Sequence, residues 1–129
     1  MGQEYLIDTN IIVDYLNGNL PSPAKSFLRK VVNDIPKISI ITKIEVLSFK
    51  KDAESYQLVT DFVDCSITQE LTKEITETAI EVRLRKKIKV ADAIIAATAL
   101  VFDFTLLTRN TEDFKGIAGL KISNPWLIA

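Results

Sequence analysis

No histidine occurs anywhere in the 129 residues. The commonest general base is therefore missing, and so is a common zinc ligand. Any chemistry in this chain runs on carboxylates, hydroxyls, amides, Lys or Arg. Cysteine is almost as scarce. Cys65 stands alone, so no intramolecular disulfide forms and a reducing compartment suits the chain. Charge of one sign is not in excess either. Sixteen Lys and Arg face seventeen Asp and Glu, for a net charge of −1, so a nucleic-acid role has to rest on a local basic patch. Long apolar runs are lacking. The longest, at 93–102, is broken only by Thr98 and falls far short of the roughly 20 residues of a membrane span. The start carries no basic-then-apolar signal segment. Met1-Gly2 opens like an acylation site, but Leu6 stands where Ser or Thr is required. The expectation is a cytoplasmic protein without a membrane partner.

What is present describes a globular chain. Hydrophobic residues make up 47% and charged residues 26%, enough apolar content to exclude general disorder. A single domain over 1–129 is expected, long enough to bury a real core. Tyr5-Leu6-Ile7 reads as a strand ending in the lone acid Asp8, followed by the cap-competent Thr9 and Asn10 and a short helix to Leu16. Ser22-Pro23 reads as an N-cap with proline at the first helical position, and Ala24, Phe27, Leu28, Val31 and Val32 follow with helical period. A strand is expected over 38–41, helices over 42–49 and 52–63, a brief strand over 65–67 and a long helix over 69–87. A helix that is apolar nearly all round follows over 91–102, then a strand over 105–107, a helical turn over 110–114 and a last strand over 120–122. Strands alternating with helices predict an α/β fold with a parallel sheet. Asp8 would then lie outside a strand's carboxyl end, where such sheets bind ligands.

Four acids share that kind of context: Asp8, Glu45, Asp92 and Asp113 each sit where a strand or loop turns into a helix. Each also has a structural account. Thr42 to Glu45 has the form of a capping box, and Asn110 to Asp113 a similar one. Asp92 lies in a first helical turn, where negative charge favours the macrodipole, and Asp8 could serve as a cap. Their surroundings favour a second account. Leu6-Ile7 precede Asp8 and Ala93-Ile94-Ile95 follow Asp92, and ionised acids are rarely buried unless paired or holding a metal. Several carboxylates at one edge repel one another unless a cation is present. All-oxygen ligands suit Mg²⁺ or Mn²⁺. One such ion, or two about 4 Å apart, is the apparatus of in-line phosphodiester cleavage.

These pieces resemble the PIN-domain ribonucleases, most closely the VapC-type toxins of toxin–antitoxin pairs. The matching stretches are Asp8-Thr9-Asn10, Glu45 within Ile41-Thr42-Lys43-Ile44-Glu45, Asp92-Ala93-Ile94-Ile95-Ala96-Ala97-Thr98-Ala99, and Leu107-Thr108-Arg109-Asn110-Thr111-Glu112-Asp113-Phe114. The closing Leu120-Lys121-Ile122-Ser123-Asn124-Pro125 also fits, so the likeness covers nearly the whole chain. The resemblance implies a PIN-like three-layer α/β/α fold with strand order about 3-2-1-4-5. By the same resemblance Asp8, Glu45, Asp92 and Asp113 are catalytic and hold one or two Mg²⁺ or Mn²⁺ ions. Asp8 and Asp92 are then innermost, and Thr9, Asn10, Thr108 and Asn110 line the pocket. The implied activity is endoribonuclease cleavage of single-stranded or loop RNA by metal-activated water. Implied partners are a second copy in a homodimer and a small VapB-like antitoxin that covers the site. One departure is Asp103-Phe104, where these toxins often carry His-Gly or another Gly; a solvated turn is the reading taken.

Arg83, Arg85, Lys86, Lys87 and Lys89 form a basic cluster just before Asp92. It is placed to hold RNA phosphates, or simply to favour a helix C-terminus. Arg85 and Arg109 are the cations singled out for RNA contact. Cys65, Trp126, Phe27 and Phe62 read as packing residues. A receiver-like signalling module and a catalytically silent PIN-like binding module are the alternatives. The receiver reading is weakened because the first strand ends in one acid rather than two.

Overall fold

The computed structural model describes residues 3–128. Met1 and Gly2, on which the acylation-like start depends, and Ala129 lie outside the described residues. Five strands form the frame: β1 Tyr5–Ile7, β2 Lys37–Ser39, β3 Ile67–Gln69, β4 Thr105–Leu107 and β5 Lys121–Ser123. Seven helices connect or cover them: α1 Thr9–Asn17, α2 Ser22–Asn33, α3 Ile40–Ser48, α4 Ala53–Asp64, α5 Lys73–Arg85, α6 Val90–Phe102 and α7 Thr111–Phe114, with a 3-10 turn at Pro125–Leu127.

Every strand pairing is parallel, in the order β3-β2-β1-β4-β5. Period-2 alternation explains why the sheet needs helices on both faces. Leu6 and Leu106 join one core cluster with Ile75, Ala79 and Val82 of α5 and the apolar residues of α6. Ile7 and Leu107, one residue further along, join the other, with Ile11 and Ile12 of α1, Leu28 of α2, Val46 of α3 and Phe62 of α4. Each of those four strand residues is fully buried, a contribution of about 1.5–3 kcal/mol apiece. The three-layer α/β/α fold with order 3-2-1-4-5 is thus observed. The chain leaves β1 toward β2 and β3 on one side, then returns through α5 and α6 to place β4 and β5 on the other. The order reverses between β1 and β4, and that is where the crevice at the strand ends opens.

Several boundaries differ from expectation. Strand β2 ends at Ser39 because the Ser39 hydroxyl accepts the Ile41 amide at 3.0 Å and starts α3 there. The β-branched Ile40 and Ile41 are therefore helical, not extended. Thr42 in consequence lies inside α3 and caps nothing; it is fully buried with no partner for its hydroxyl. The cap of α2 is Pro21, with Ser22 and Pro23 inside the helix and no side-chain cap bond. Strand β3 runs two residues later than expected, over Ile67–Gln69. Helix α5 begins only after Thr72, whose hydroxyl accepts the Ile75 amide at 3.1 Å, which leaves Leu71 outside the helix. Strand β5 starts and ends one residue later than the pattern indicates. Helix α6 is buried along nearly its whole length, as its composition predicts. Asp103 is its exposed C-cap in left-handed conformation, φ 58°, a conformation Asp tolerates better than most residues, and its carboxylate pairs with Lys121 at 3.0 Å. That is the solvated turn expected of it.

Candidate active site

Parallel strands put all their carboxyl ends on one edge, and the chain places its acids there. Asp8 follows β1 directly and caps α1, but not in the usual way. An N-cap side chain ordinarily accepts from the second or third helical amide. Asp8 Oδ1 instead accepts the Thr9 amide at 2.8 Å, while Oδ2 turns across the crevice to β4. There it accepts the Thr108 hydroxyl at 2.7 Å and the Asn10 side-chain amide at 3.3 Å. Asp8 is 5% exposed. Burial pushes its carboxyl above the ordinary value; the Thr108 and Thr9 hydrogen bonds oppose this, and the charges of Glu45 and Asp92 add to it.

Thr108, fully buried, is the hub of the pocket wall. Its hydroxyl donates to Asp8 and accepts the Asn110 amide at 3.0 Å. Asn10 ties the same two loops together, its Oδ1 accepting the Arg109 amide at 3.1 Å. Thr9 donates its hydroxyl to Glu45 Oε1 in a short hydrogen bond. Glu45 sits on the second turn of α3 and is held by that bond rather than by a capping box. Asp92 is the third residue of α6, which has no side-chain cap at Lys89. Its carboxyl is raised by partial burial first, then by Asp113 and Glu45, and lowered by Lys89. Asn110 takes the N-cap position of α7 but makes no side-chain cap bond, so the second expected capping box is absent too. Asp113 stands exposed beside Asp92.

Asp8, Glu45 and Asp92 therefore lie within electrostatic reach of one another at the β1–β4 switch point, and Asp113 lies within reach of Asp92. Two cavities meet at them. A groove of about 670 Å³ is lined by Asp8, Glu45, Asp92 and the apolar Ile12, Val13, Leu16, Phe49 and Leu58. A cleft of about 520 Å³ is lined by Asp92, Asp113, Glu112 and the cations of the α5–α6 connection. No three acids are drawn into a closed ligand set among the described residues. The donor chemistry still fits a hard divalent ion. Mg²⁺ keeps several waters and takes only one or two carboxylates directly, and like charges do not converge further by themselves. The carboxyls of Asp8 and Asp92 are raised first by burial and then by the neighbouring acids, and a bound cation would offset both.

The two singled-out cations have different positions. Arg109 lines the larger groove and pairs with Asp14 at 3.1 Å, 5.8 Å above the Trp126 ring. Arg85 points to Glu81, 3.7 Å away, and lines neither cavity that reaches the acids. Asp14 is the residue that sequence reasoning missed. It is buried, and its Oδ2 also accepts the Trp126 indole N–H at 2.9 Å. The signal was its place three residues after Ile11, on the buried face of α1. Trp126 is accordingly more than packing: it fastens the C-terminal turn to the helix that carries the site. Cys65 is exposed, Phe62 is buried, and Phe27 packs edge-on against Tyr5.

Comparison with known proteins agrees with this geometry. The PIN domain family model matches residues 5–120. No curated protein sequence matches. Among solved structures, a toxin–antitoxin complex from Klebsiella pneumoniae is 30% identical, with TM-score 0.74 and 95% of this chain and 98% of that one covered. VapBC2 from Rickettsia felis, bound to a DNA fragment from its promoter, is 26% identical, with TM-score 0.78 and coverage of 95% and 98%. DNA-bound VapBC from Salmonella typhimurium shares the fold at 16% identity, TM-score 0.81 and coverage of 96% and 99%. No helix of the described residues is long and apolar enough to cross a membrane. The chain belongs to the PIN-domain family, and the solved structures it is similar to include VapBC toxin–antitoxin complexes.

Proposed function

We propose that this protein is a divalent-metal-dependent endoribonuclease that cuts single-stranded or loop RNA, and that it is the toxin of a toxin–antitoxin pair. The observation that carries the reading is Asp8: a buried carboxylate at the switch point, held by Thr108 and Thr9 and crowded by Glu45 and Asp92. Asp8 and Asp92 would hold Mg²⁺ or Mn²⁺, with Glu45 and Asp113 assisting directly or through water. When bound, the ion supplies positive charge against that developing on the scissile phosphate and acidifies a water.

The chain's own residues do the rest. Thr108 and the Thr9 amide fix the Asp8 carboxylate in one orientation, and the Thr9 hydroxyl fixes Glu45. Preorganised acceptors of this kind cost no rearrangement during reaction. Asp113, exposed beside Asp92, is free to orient a water and take its proton. No histidine is needed. A small antitoxin is the proposed partner, its apolar side chains seated among Val13, Leu16, Phe49 and Leu58 of the larger groove. A homodimer is the proposed assembly.

The test is a metal titration of the protein, purified free of any partner, against a pool of structured RNAs. Cutting that requires Mg²⁺ or Mn²⁺ and disappears in Asp8→Asn and Asp92→Asn, with both variants folded, is expected. Full turnover in either variant would sink the assignment. Metal binding without cleavage on any RNA would move the protein to a silent binding module.

A further inference from the structure

The basic cluster at residues 83–89 is not one uniform patch. Arg85 lies 3.7 Å from Glu81 on the exposed face of α5 and does not line the cleft that reaches the acids. Arg83 donates its Nε–H to the Ile88 carbonyl at 3.0 Å, pinning the turn that joins α5 to α6. That turn leaves the helix at Lys86 in extended backbone, φ −147° and ψ 137°, and enters α6 at Lys89, also extended. Between them the side chains alternate: Lys87 is exposed, Ile88 is 9% exposed and packed in the core, and Lys89 is exposed again. Among the described residues, none of Lys86, Lys87 and Lys89 pairs with a carboxylate. All three line the cleft whose other wall is Asp92, Glu112 and Asp113.

We propose that this connection is a phosphate-docking edge, with Lys87 and Lys89 holding successive backbone phosphates of a single-stranded RNA beside the cleavage site. Residues two apart on an extended chain lie about 6.6 Å from each other on one face, the scale of the step between phosphates of an extended strand. Buried Ile88 and the Arg83 bond hold that spacing rigid. Asp92 lines both cavities, so a strand gripped here passes the acids and continues toward the apolar groove. The strand therefore has a charged side and an apolar side, separated by the acids. The proposal rests on the nuclease reading for its substrate class, but its measurement does not need cleavage.

The experiment is equilibrium binding of a fluorescein-labelled oligouridine in chelator, over a series of salt concentrations. The variants are Lys87→Gln/Lys89→Gln, Lys87→Arg/Lys89→Arg and Arg85→Gln. Each lost phosphate contact lowers the slope of log affinity against log salt by about 0.7 for a single strand. The glutamine pair is expected to lose about 1.4 of slope, while the arginine pair and Arg85→Gln keep it. A merely structural role for the lysines would change affinity without changing the slope. An unchanged slope in the glutamine pair overturns the proposal, as does absence of RNA binding by the parent protein. An RNA slope that responds as expected in a protein that never cuts would instead remove the nuclease reading and keep the docking edge.

Discussion

Replacing Thr108 by Val keeps the shape of a fully buried side chain and removes one oxygen. Three interactions go with it: the 2.7 Å bond donated to Asp8, the 3.0 Å bond accepted from the Asn110 amide and a long 3.5 Å contact from Asn10. Asn110 is exposed, so water replaces its partner at little cost. Asp8 is not. Its Oδ2 would keep only the 3.3 Å bond from Asn10, and a hydrogen bond to a buried ionised group is worth about 1.5–3 kcal/mol. For a domain of this size, roughly 3–5 °C of melting temperature accompanies each kcal/mol, so a fall of about 5–15 °C is expected at about pH 7.5 in chelator.

The pH dependence gives the diagnostic. Asp8 has its folded pKa raised above the 3.8 of the free group, so the folded state retains a proton that the unfolded state loses. Its contribution is fully favourable below the unfolded value and is lost as pH rises through the folded one. Removing the Thr108 bond raises the folded pKa further. The variant's deficit should therefore shrink to roughly 1 kcal/mol near pH 4, the worth of a neutral hydrogen bond, and grow toward neutral pH. Urea melts of both proteins at the two pH values measure it. A deficit that is the same at both, or below about 0.5 kcal/mol at neutral pH, the range of an inconsequential surface change, would refute the account of Asp8 as an ionised carboxylate held by Thr108.

Two further outcomes follow from groups outside the acids. Thr42→Val removes a buried hydroxyl that has no partner, so it should stabilise the protein by about 1–2 kcal/mol, read as a higher urea midpoint; a loss of stability would mean the hydroxyl is satisfied in solution. Trp126→Phe removes the 2.9 Å bond to buried Asp14 and should cost about 1.5–3 kcal/mol, with Asp14→Ala/Trp126→Phe costing less than the sum of the single changes. Strict additivity in that cycle would dissolve the coupling.

Much of this molecule is legible in local pattern. Leu6-Ile7 and Leu106-Leu107 are strands buried on both faces because apolar pairs with turn signals on either side have few other uses. The all-round apolar character of α6 marks it as a buried helix before any contact is known. The acids at strand-to-helix turns could be read too, with two accounts for each. Geometry divides those accounts. Asp8 and Asp92 do lie at helix starts, whereas Glu45 and Asp113 belong to no capping box.

The chain's own pattern was enough for the alternation of strands and helices, the two apolar faces and the positions of the acids along it, because period and burial preference are properties of neighbouring residues. Tertiary structure alone decided where the helices start and which way each carboxylate turns. Ser39 became the cap of α3 instead of Thr42, and α5 starts at the Thr72 cap rather than at Gln69, because the sheet's end, not local propensity, set where the backbone leaves the strand. Asp8 faces Thr108, 100 positions away, and Asp14 faces Trp126, 112 positions away. Such pairings depend on the β1–β4 crossing and the docking of the C-terminal turn, and no window along the sequence contains both partners.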